Sequence, residues 1–318
     1  MNNYAIRNFM PEDVPSIYNV QVAYNRVFQE TSVIPGEAYL SPEYDNGNNV
    51  VCAINNNGVL DGHGSIYPVF TADNNNTSAE NVLWVEIKYN PLTAVSNEIR
   101  AILFQHVMKR ASEIKKKALH KNTKICFTFF PSEKKSSEYV LDQGFIVSEG
   151  IYHMARSLDQ PIETYPLPDH IEVIEWKMKE DKEIEEYIQA YNISFSKKPW
   201  NTEGLRHFML SDLWTVGTTL SAFNHGQLVG SIMLYWNEEK NKDAEGKSAF
   251  TEQIFVLPDW RRKGLAKHLI SRGLEYLAGK EMNEAHLELR ANNEHALHMY
   301  KTLGYKVTKS EIIVERVI

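Results

Sequence analysis

Residues Phe250–Ala266 read F-T-E-Q-I-F-V-L-P-D-W-R-R-K-G-L-A. Ile254, Phe255, Val256 and Leu257 form a short apolar run with β-branched and aromatic residues, the pattern of a central strand. Pro258 and Asp259 stop it. Beyond them Leu269, Ile270, Gly273, Leu274 and Leu277 recur at helical spacing. Strand and helix are joined through Arg261-Arg262-Lys263-Gly264-Leu265-Ala266. A helix start offers backbone N–H groups without partners and the positive end of the helix dipole. Gly264 and Ala266 remove side-chain bulk where an anion has to approach, and Arg261, Arg262 and Lys263 bring positive charge to the same place. The stretch therefore reads as a diphosphate cradle fed by a strand. It lacks the G-x-x-x-x-G-K-[S/T] spacing of a P-loop and the G-x-G-x-x-G of a dinucleotide turn. An ordinary basic helix start is the other reading of these six residues taken alone.

Outward from this stretch the chain repeats itself with a period close to 160 residues. A strand at Tyr4–Phe9, a helix to Phe28, a strand pair around Asn55-Asn56-Asn57-Gly58, a strand at Val82–Tyr89, a long helix to Lys117 and a strand at Lys124–Phe130 are expected in the first half. A short helix ending at Gly144 and a last strand or hairpin complete it. The same order returns after His170, with a strand pair around Asn224-His225-Gly226, a charged loop at Asn237–Lys247, and a short helix ending at Gly304. The proline-bearing segment Asp159–Asp169 is expected to link the halves. Domains are thus expected at 1–158 and 170–318, with 159–169 between them. The halves differ where the cradle lies. Pro258 is followed by Arg261, Gly264 and Ala266, whereas Pro91 is followed at the same offsets by Ala94, Asn97 and Ile99.

With 318 residues, 43% of them hydrophobic and 11% aromatic, there is material for two cores. Charge is mixed, and a net of -7 argues against a general nucleic-acid binder. The N-terminus does not read as a signal peptide, and no apolar run is long enough to span a membrane, so a cytoplasmic protein is expected. Cys52 and Cys126 sit far apart in apolar, strand-like settings and read as buried thiols. Asn75-Asn76-Thr77 is a formal glycosylation sequon, read here as a polar turn.

The pattern V-x-P-x-x-R-x-x-G-x-A at Val256–Ala266 resembles the acetyl-CoA-binding motif of the GNAT superfamily of N-acetyltransferases. The ending N-x-x-A-x-x-M-Y-x-x-L-G-Y at Asn293–Tyr305 is similar to a second signature of that family at the right distance. The resemblance is strong for residues 170–318; for 1–158 it rests on the order of elements. It implies an α/β fold with a mixed sheet: two tandem GNAT-like domains, each a central, mostly antiparallel sheet with splayed fourth and fifth strands, flanked by helices. It also implies a degenerate N-terminal copy. Acetyl-CoA is the implied co-substrate, with no metal. The implied activity is transfer of an acetyl group to a primary amine of a small molecule or peptide, with no nucleic-acid or membrane partner and room for a homodimer. A non-catalytic acyl-CoA-binding or sensor module is the alternative.

By the same resemblance, backbone groups of Ile254, Phe255 and Val256 hold the pantetheine arm, and Arg261, Arg262, Lys263, Gly264, Leu265 and Ala266 hold the diphosphate. Tyr300 takes the place of the general acid, a phenol that stays protonated at neutral pH; a core tyrosine packed under Leu303 is the other reading. Asn293 matches a family asparagine that contacts cofactor or fixes a helix start; a plain N-cap is equally open. Glu252 is the candidate base, placed by alternation on the face of Ile254 and Val256, with Glu288 second. Trp200 and Phe208, in and beside Phe195–His207, are candidates for the acceptor wall, with plain core aromatics the other reading. His286, His295 and His298 complete no metal-ligand spacing.

Overall fold

The computed structural model describes residues 4–28, 33–70, 80–118, 122–195, 199–214, 216–242 and 244–318. The chain forms two compact units, Met1–Ile151 with Lys309–Ile318, and Tyr152–Thr308. The sequon at Asn75 lies outside the described residues.

Unit 1 contains β1 (Tyr4–Asn8), α1 (Val14–Phe28), β2 (Val50–Asn55), β3 (Leu60–Val69), β4 (Asn81–Tyr89), α2 (Ser96–Lys117), β5 (Thr123–Phe129) and α3 (Lys134–Asp142). The boundary between the units falls inside β6 (Ile146–Ser157). Strands β1 to β4 pair in antiparallel order. β5 lies parallel to β4, with Asn81–Val85 beside Thr123–Phe127. Gly62 and Gly64 let α2 close on this sheet: a Cβ on Gly64 would stand 2.5 Å from Val107. Ile66, Leu83, Phe104, Val107, Ile125 and Phe127 form the resulting core, and each such side chain contributes about 1.5–3 kcal/mol when fully buried.

Unit 2 takes the second half of β6, then β7 (Ile171–Trp176), α4 (Asp181–Ser194), α5 (Thr202–Met209), β8 (Thr218–Asn224) and β9 (Gln227–Tyr235). It continues with α6 (Glu238–Lys242), β10 (Ser248–Val256), α7 (Leu265–Gly279), β11 (Glu284–Arg290), α8 (Glu294–Thr302) and the start of β12 (Lys306–Val317). β7 to β10 are antiparallel, and β11 runs parallel to β10. The hairpin of β8 and β9 turns on His225 and Gly226, at φ 47 and 80, the left-handed geometry that matches strand twist. Leu269, Ile270, Leu274 and Leu277 of α7 are fully buried against this sheet, as their spacing requires.

The fold class is as expected, a mixed sheet with helices in each unit. Details differ. The charged segment at 237–247 contains the short helix α6. Residues 146–157 and 306–317 are each one long strand rather than a hairpin. The final part of β12 pairs with β5, Ile312 with Phe129 through Val317 with Lys124, so the chain's last strand completes the sheet of unit 1. The segment read as a linker has no regular structure over 161–168, yet it is not loose. Ile162, Tyr165 and Leu167 pack against the core of unit 2. The Tyr165 carbonyl lies 2.6 Å from His268 Nδ1, and Arg156 donates to the carbonyls of Pro161 and Leu303. Cys52 and Cys126 are buried and form no disulfide. No described helix is long and apolar enough to cross a membrane.

Unit 1 also encloses His63, fully buried beside Lys88, and burial lowers its pKa to about 3 from 6.5. Folded protein therefore binds fewer protons at this site than unfolded protein below pH 6.5. Stability is intact above that pH and falls as pH drops toward 3, by about 1.4 kcal/mol per pH unit from this group. Urea unfolding of unit 1 between pH 7 and 5 is expected to show this slope, and His63→Phe to flatten it.

Candidate functional site

The two sides of β10 are paired differently, and the site follows from that. Toward β9 the ladder runs from Phe250–Tyr235 to Glu252–Met233, skips a residue, and resumes at Phe255–Ser231 and Val256–Gly230. The extra residue makes a bulge, with Gln253 at φ 49. Toward β11 only Ser248–Phe250 pair, beside Glu284–His286. Past that point the strands part, and β10 from Thr251 to Val256 has no ladder on this side. This is the expected splay of the fourth and fifth strands.

The bulge also corrects the expected facing of Glu252. Met233 and Ser231, two residues apart, share a face of β9. Their partners Glu252 and Phe255 therefore share a face of β10. Strict alternation, which placed Glu252 with Ile254 and Val256, fails because the bulge inserts a residue between them.

Glu252 accepts a 2.6 Å hydrogen bond from Tyr235 Oη and meets the backbone N–H of Glu288 across the splay. Burial pushes its pKa above the ordinary carboxylate range. The Tyr235 bond opposes the rise, the Glu288 charge adds to it, and His153 lowers it. A carboxylate with a raised pKa is a stronger base than one in water. Glu288 itself is 56% exposed and lies 3.5 Å from His153 Nδ1, so it is a surface ion-pair partner at the rim of the splay.

Tyr300 on α8 is 5% exposed and stands edge-on to Tyr305 at 5.5 Å. Burial raises its phenol well above 10, with Tyr305 and the Glu252 charge adding to the effect. Packing and proton holding thus coexist at this residue. Asn293 is the N-cap of α8, its side-chain oxygen accepting from Ala296 N at 3.2 Å.

The cradle turn is tied to the strand by Arg261 Nε, which donates to Val256 O at 3.0 Å. Arg262 and Gly264 both take left-handed backbone, φ 64 and 85. A Cβ on Gly264 would meet nothing within 4 Å, so the ground above the turn is open. The first turn of α7 carries no acidic residue and no side-chain cap. Its N–H groups are therefore not claimed as those of α5 and α8 are, by Asn201 and Asn293. Lys263 lies over the Trp260 ring at 4.7 Å. Phe255, Val256 and Leu265 are buried by their side chains, which leaves only their backbone for a ligand; Ile254 and Ala266 are half-buried. A nucleotide diphosphate with an extended amide-bearing arm fits this donor set: open N–H groups and cations at the turn, unpaired strand backbone beside it.

An aromatic row approaches Glu252 from the other side. Tyr191 stacks on Trp200 at 5.3 Å, Trp200 meets Phe208 at 5.8 Å, and Phe208 meets Tyr235 at 5.3 Å. Tyr191 Oη donates to Gln253 Oε1 at 3.0 Å. Residues 196–198 of the expected acceptor segment lie outside the described residues. Sequence reading missed Tyr235, Gln253 and His153. No local pattern marks them, because the bulge that brings Tyr235 to Glu252 is visible only in the strand register. His295 and His298 are exposed and His286 pairs with Glu284 at 3.1 Å; among the described residues no three ligating side chains gather as for a metal.

The described residues of unit 1 share the splay, since β4 pairs with β5 only over Asn81–Val85, but not the bulge or the cradle turn. β4 keeps regular register with β3 along its length. Its helix α2 starts at Ser96, from a residue at φ -105, so Asn97 and Ile99 lie within the helix and Ile99 is fully buried.

A family model described as Acetyltransferase (GNAT) family matches residues 181–305. Unit 2 belongs to the GNAT family. The GNAT unit's match takes in the bulged strand, the cradle turn and the Tyr300 helix. A mycothiol acetyltransferase of Acidothermus cellulolyticus is 23% identical over 188 residues, covering 54% of this chain and 56% of that protein. An acetyltransferase of Pectobacterium atrosepticum is 31% identical over 94 residues, 30% of this chain and 61% of that protein. The chain thus spans little more than half the length of these curated relatives. Among solved structures, a GCN5-related N-acetyltransferase from Sphaerobacter thermophilus superposes with a TM-score of 0.73 at 18% identity, over 100% of this chain and 96% of that one. A tandem GNAT protein from the clavulanic acid biosynthesis pathway gives 0.67 at 12% identity, over 99% and 98%. These likenesses run through both units and establish a shared tandem fold.

Proposed function

We propose that the GNAT unit is an acetyl-CoA-dependent N-acyltransferase that acts on a primary amine of a small molecule or peptide by direct attack on the thioester. The observation that carries this reading is the Gln253 bulge, which sets the half-buried Glu252 carboxylate beside the open edge of β10. When bound, acetyl-CoA supplies an acetyl group activated as a thioester. The backbone of Ile254–Val256 and the turn Arg261–Ala266 hold and orient it.

Glu252 takes the proton that an incoming ammonium must lose, at the carboxylate held by Tyr235 Oη. A surface carboxylate would be too weak a base for this work; burial of Glu252 narrows the gap to the amine. Tyr300 holds its proton at Oη through the whole neutral range; burial makes it a weaker acid than a free phenol, and its role in giving that proton to the departing thiolate rests on the match of α8 to the family pattern. The aromatic row from Trp200 to Tyr235 excludes water from the acceptor side. Unit 1, whose β4 keeps regular register with β3 and which has no counterpart of the Gly264 turn among its described residues, takes no part in donor binding on this reading. The names of both curated relatives support acetyl transfer.

The test is release of free thiol from acetyl-CoA by the native protein across alkyl, aromatic, amino-acid and amino-sugar amines. Amine-dependent release is expected for at least one class. Bound acetyl-CoA without release for any amine would make the GNAT unit a binding or sensor module instead.

A further inference from the structure

We propose that unit 1 carries a second small-molecule site, for an alkylammonium ligand, built on Glu86 and the rings of Tyr44 and Tyr67, with the fully buried Tyr39 supporting them from behind. The inference stands apart from the reaction assigned to the GNAT unit.

The register of β3 and β4 sets His63 opposite Lys88, Ser65 opposite Glu86 and Tyr67 opposite Trp84. These pairs make a polar and aromatic ladder on one face of the sheet, while Gly62 and Gly64 close the other face on α2. The fold does not require such a ladder. Gly230-Ser231-Ile232 of β9 repeats Gly64-Ser65-Ile66, and there Ser231 stands opposite Phe255, buried among Tyr187 and Tyr191. Where one unit buries a phenylalanine, the other spends stability on an ion pair, Lys88 Nζ to Glu86 Oε1 at 2.8 Å. Departures of this kind from a workable apolar solution are a mark of functional sites.

The pair is asymmetric. Lys88 is 2% exposed and Glu86 32%, so the lysine anchors the carboxylate from behind while the carboxylate reaches solvent. Tyr39 Oη lies 3.5 Å from the other Glu86 oxygen. The Tyr39 and Tyr44 rings meet edge-on at 5.0 Å, and Tyr44 meets Tyr67 at 5.6 Å. Tyr44 is half-buried and Tyr67 exposed, which gives the wall an open side. Behind it His63 Nε2 is 3.4 Å from Tyr39 Oη, and the fully buried Nδ1 has no partner; buried polar atoms are rarely left so. Glu133 feels the charge of the same Lys88, while burial holds its own pKa above the ordinary carboxylate range. Aromatic faces beside a fixed carboxylate attract an ammonium; an anion would face Glu86.

The test titrates the full-length protein with n-butylamine, choline and, as the neutral control, n-butanol, read by tyrosine and tryptophan fluorescence. Saturable binding of a cation and not of butanol is expected. The double variant Glu86→Gln/Lys88→Met leaves no lone buried charge and is expected to weaken binding about 10- to 100-fold, as loss of a charge-assisted contact implies. Tyr67→Ala, at an exposed position, is expected to weaken it about 3- to 30-fold and carries the test should the double variant not fold. Glu252→Gln leaves this binding unchanged. Equal binding of butanol, unchanged binding in the unit 1 variants, or loss in Glu252→Gln instead would each overturn the proposal.

Discussion

Glu252→Gln is expected to lower kcat by about 10²- to 10⁴-fold, the range of a lost general base, with acetyl-CoA affinity unchanged. The amide keeps the shape and can still bond to Tyr235, so the fold and the cradle are untouched. Only the ability to take a proton is lost. The pH profile separates this from a structural effect. Burial raises the Glu252 pKa, and a base works only when deprotonated. Native kcat/KM therefore falls as pH drops, on an acid limb above the ordinary carboxylate range, and that limb is absent in the variant. Glu288→Gln is the control: an exposed carboxylate paired with His153 is expected to change kcat less than about threefold, within the small energies of surface ion pairs. A large loss on Glu288→Gln with a small one on Glu252→Gln would exchange their roles.

Gly264→Glu is expected to abolish acetyl-CoA binding while the protein remains folded. A Cβ at this position has open space around it, so the new side chain clashes with nothing. The left-handed backbone at φ 85 costs an L-residue about 1–2 kcal/mol, which the unit tolerates. The new carboxylate, however, sits over the uncapped N–H groups of α7 and takes the place of the diphosphate. Native protein at a hundred times the dissociation constant gains about 2.7 kcal/mol from a bound ligand, a rise of roughly 5–10 °C for a unit of this size. That rise is expected to vanish in the variant. Gly264→Ala, with the same backbone strain and no charge, is expected to keep part of it.

The cradle is legible in the sequence because its parts are contiguous: an apolar run, a proline stop, three cations, a glycine and a helical stripe. Its strand and helix lie where those residues place them. The setting of Glu252 is not legible, because alternation assumes a regular strand and nothing local in T-E-Q-I-F announces a left-handed Gln253. Tyr235 is hidden for the same reason, since its contact with Glu252 depends on the register of β9. The assignment of β12 to the sheet of unit 1 is hidden too: both candidate last strands are long, and pairing over such a separation leaves no local trace. The absence of the cradle pattern from unit 1 is legible at Ala94, Asn97 and Ile99, while its charged ladder of His63, Lys88 and Glu86 appears only when the register aligns two distant segments.

The measurement that tests the account most directly is a calorimetric titration of the native protein with acetyl-CoA, read for stoichiometry. Among the described residues only the GNAT unit carries the bulged fourth strand and the open Arg261–Ala266 turn, so one molecule bound per chain is predicted. Two per chain would show that unit 1 holds a donor by residues of its own. None would show that the cradle binds no donor, and the proposed acyl transfer would fall with it.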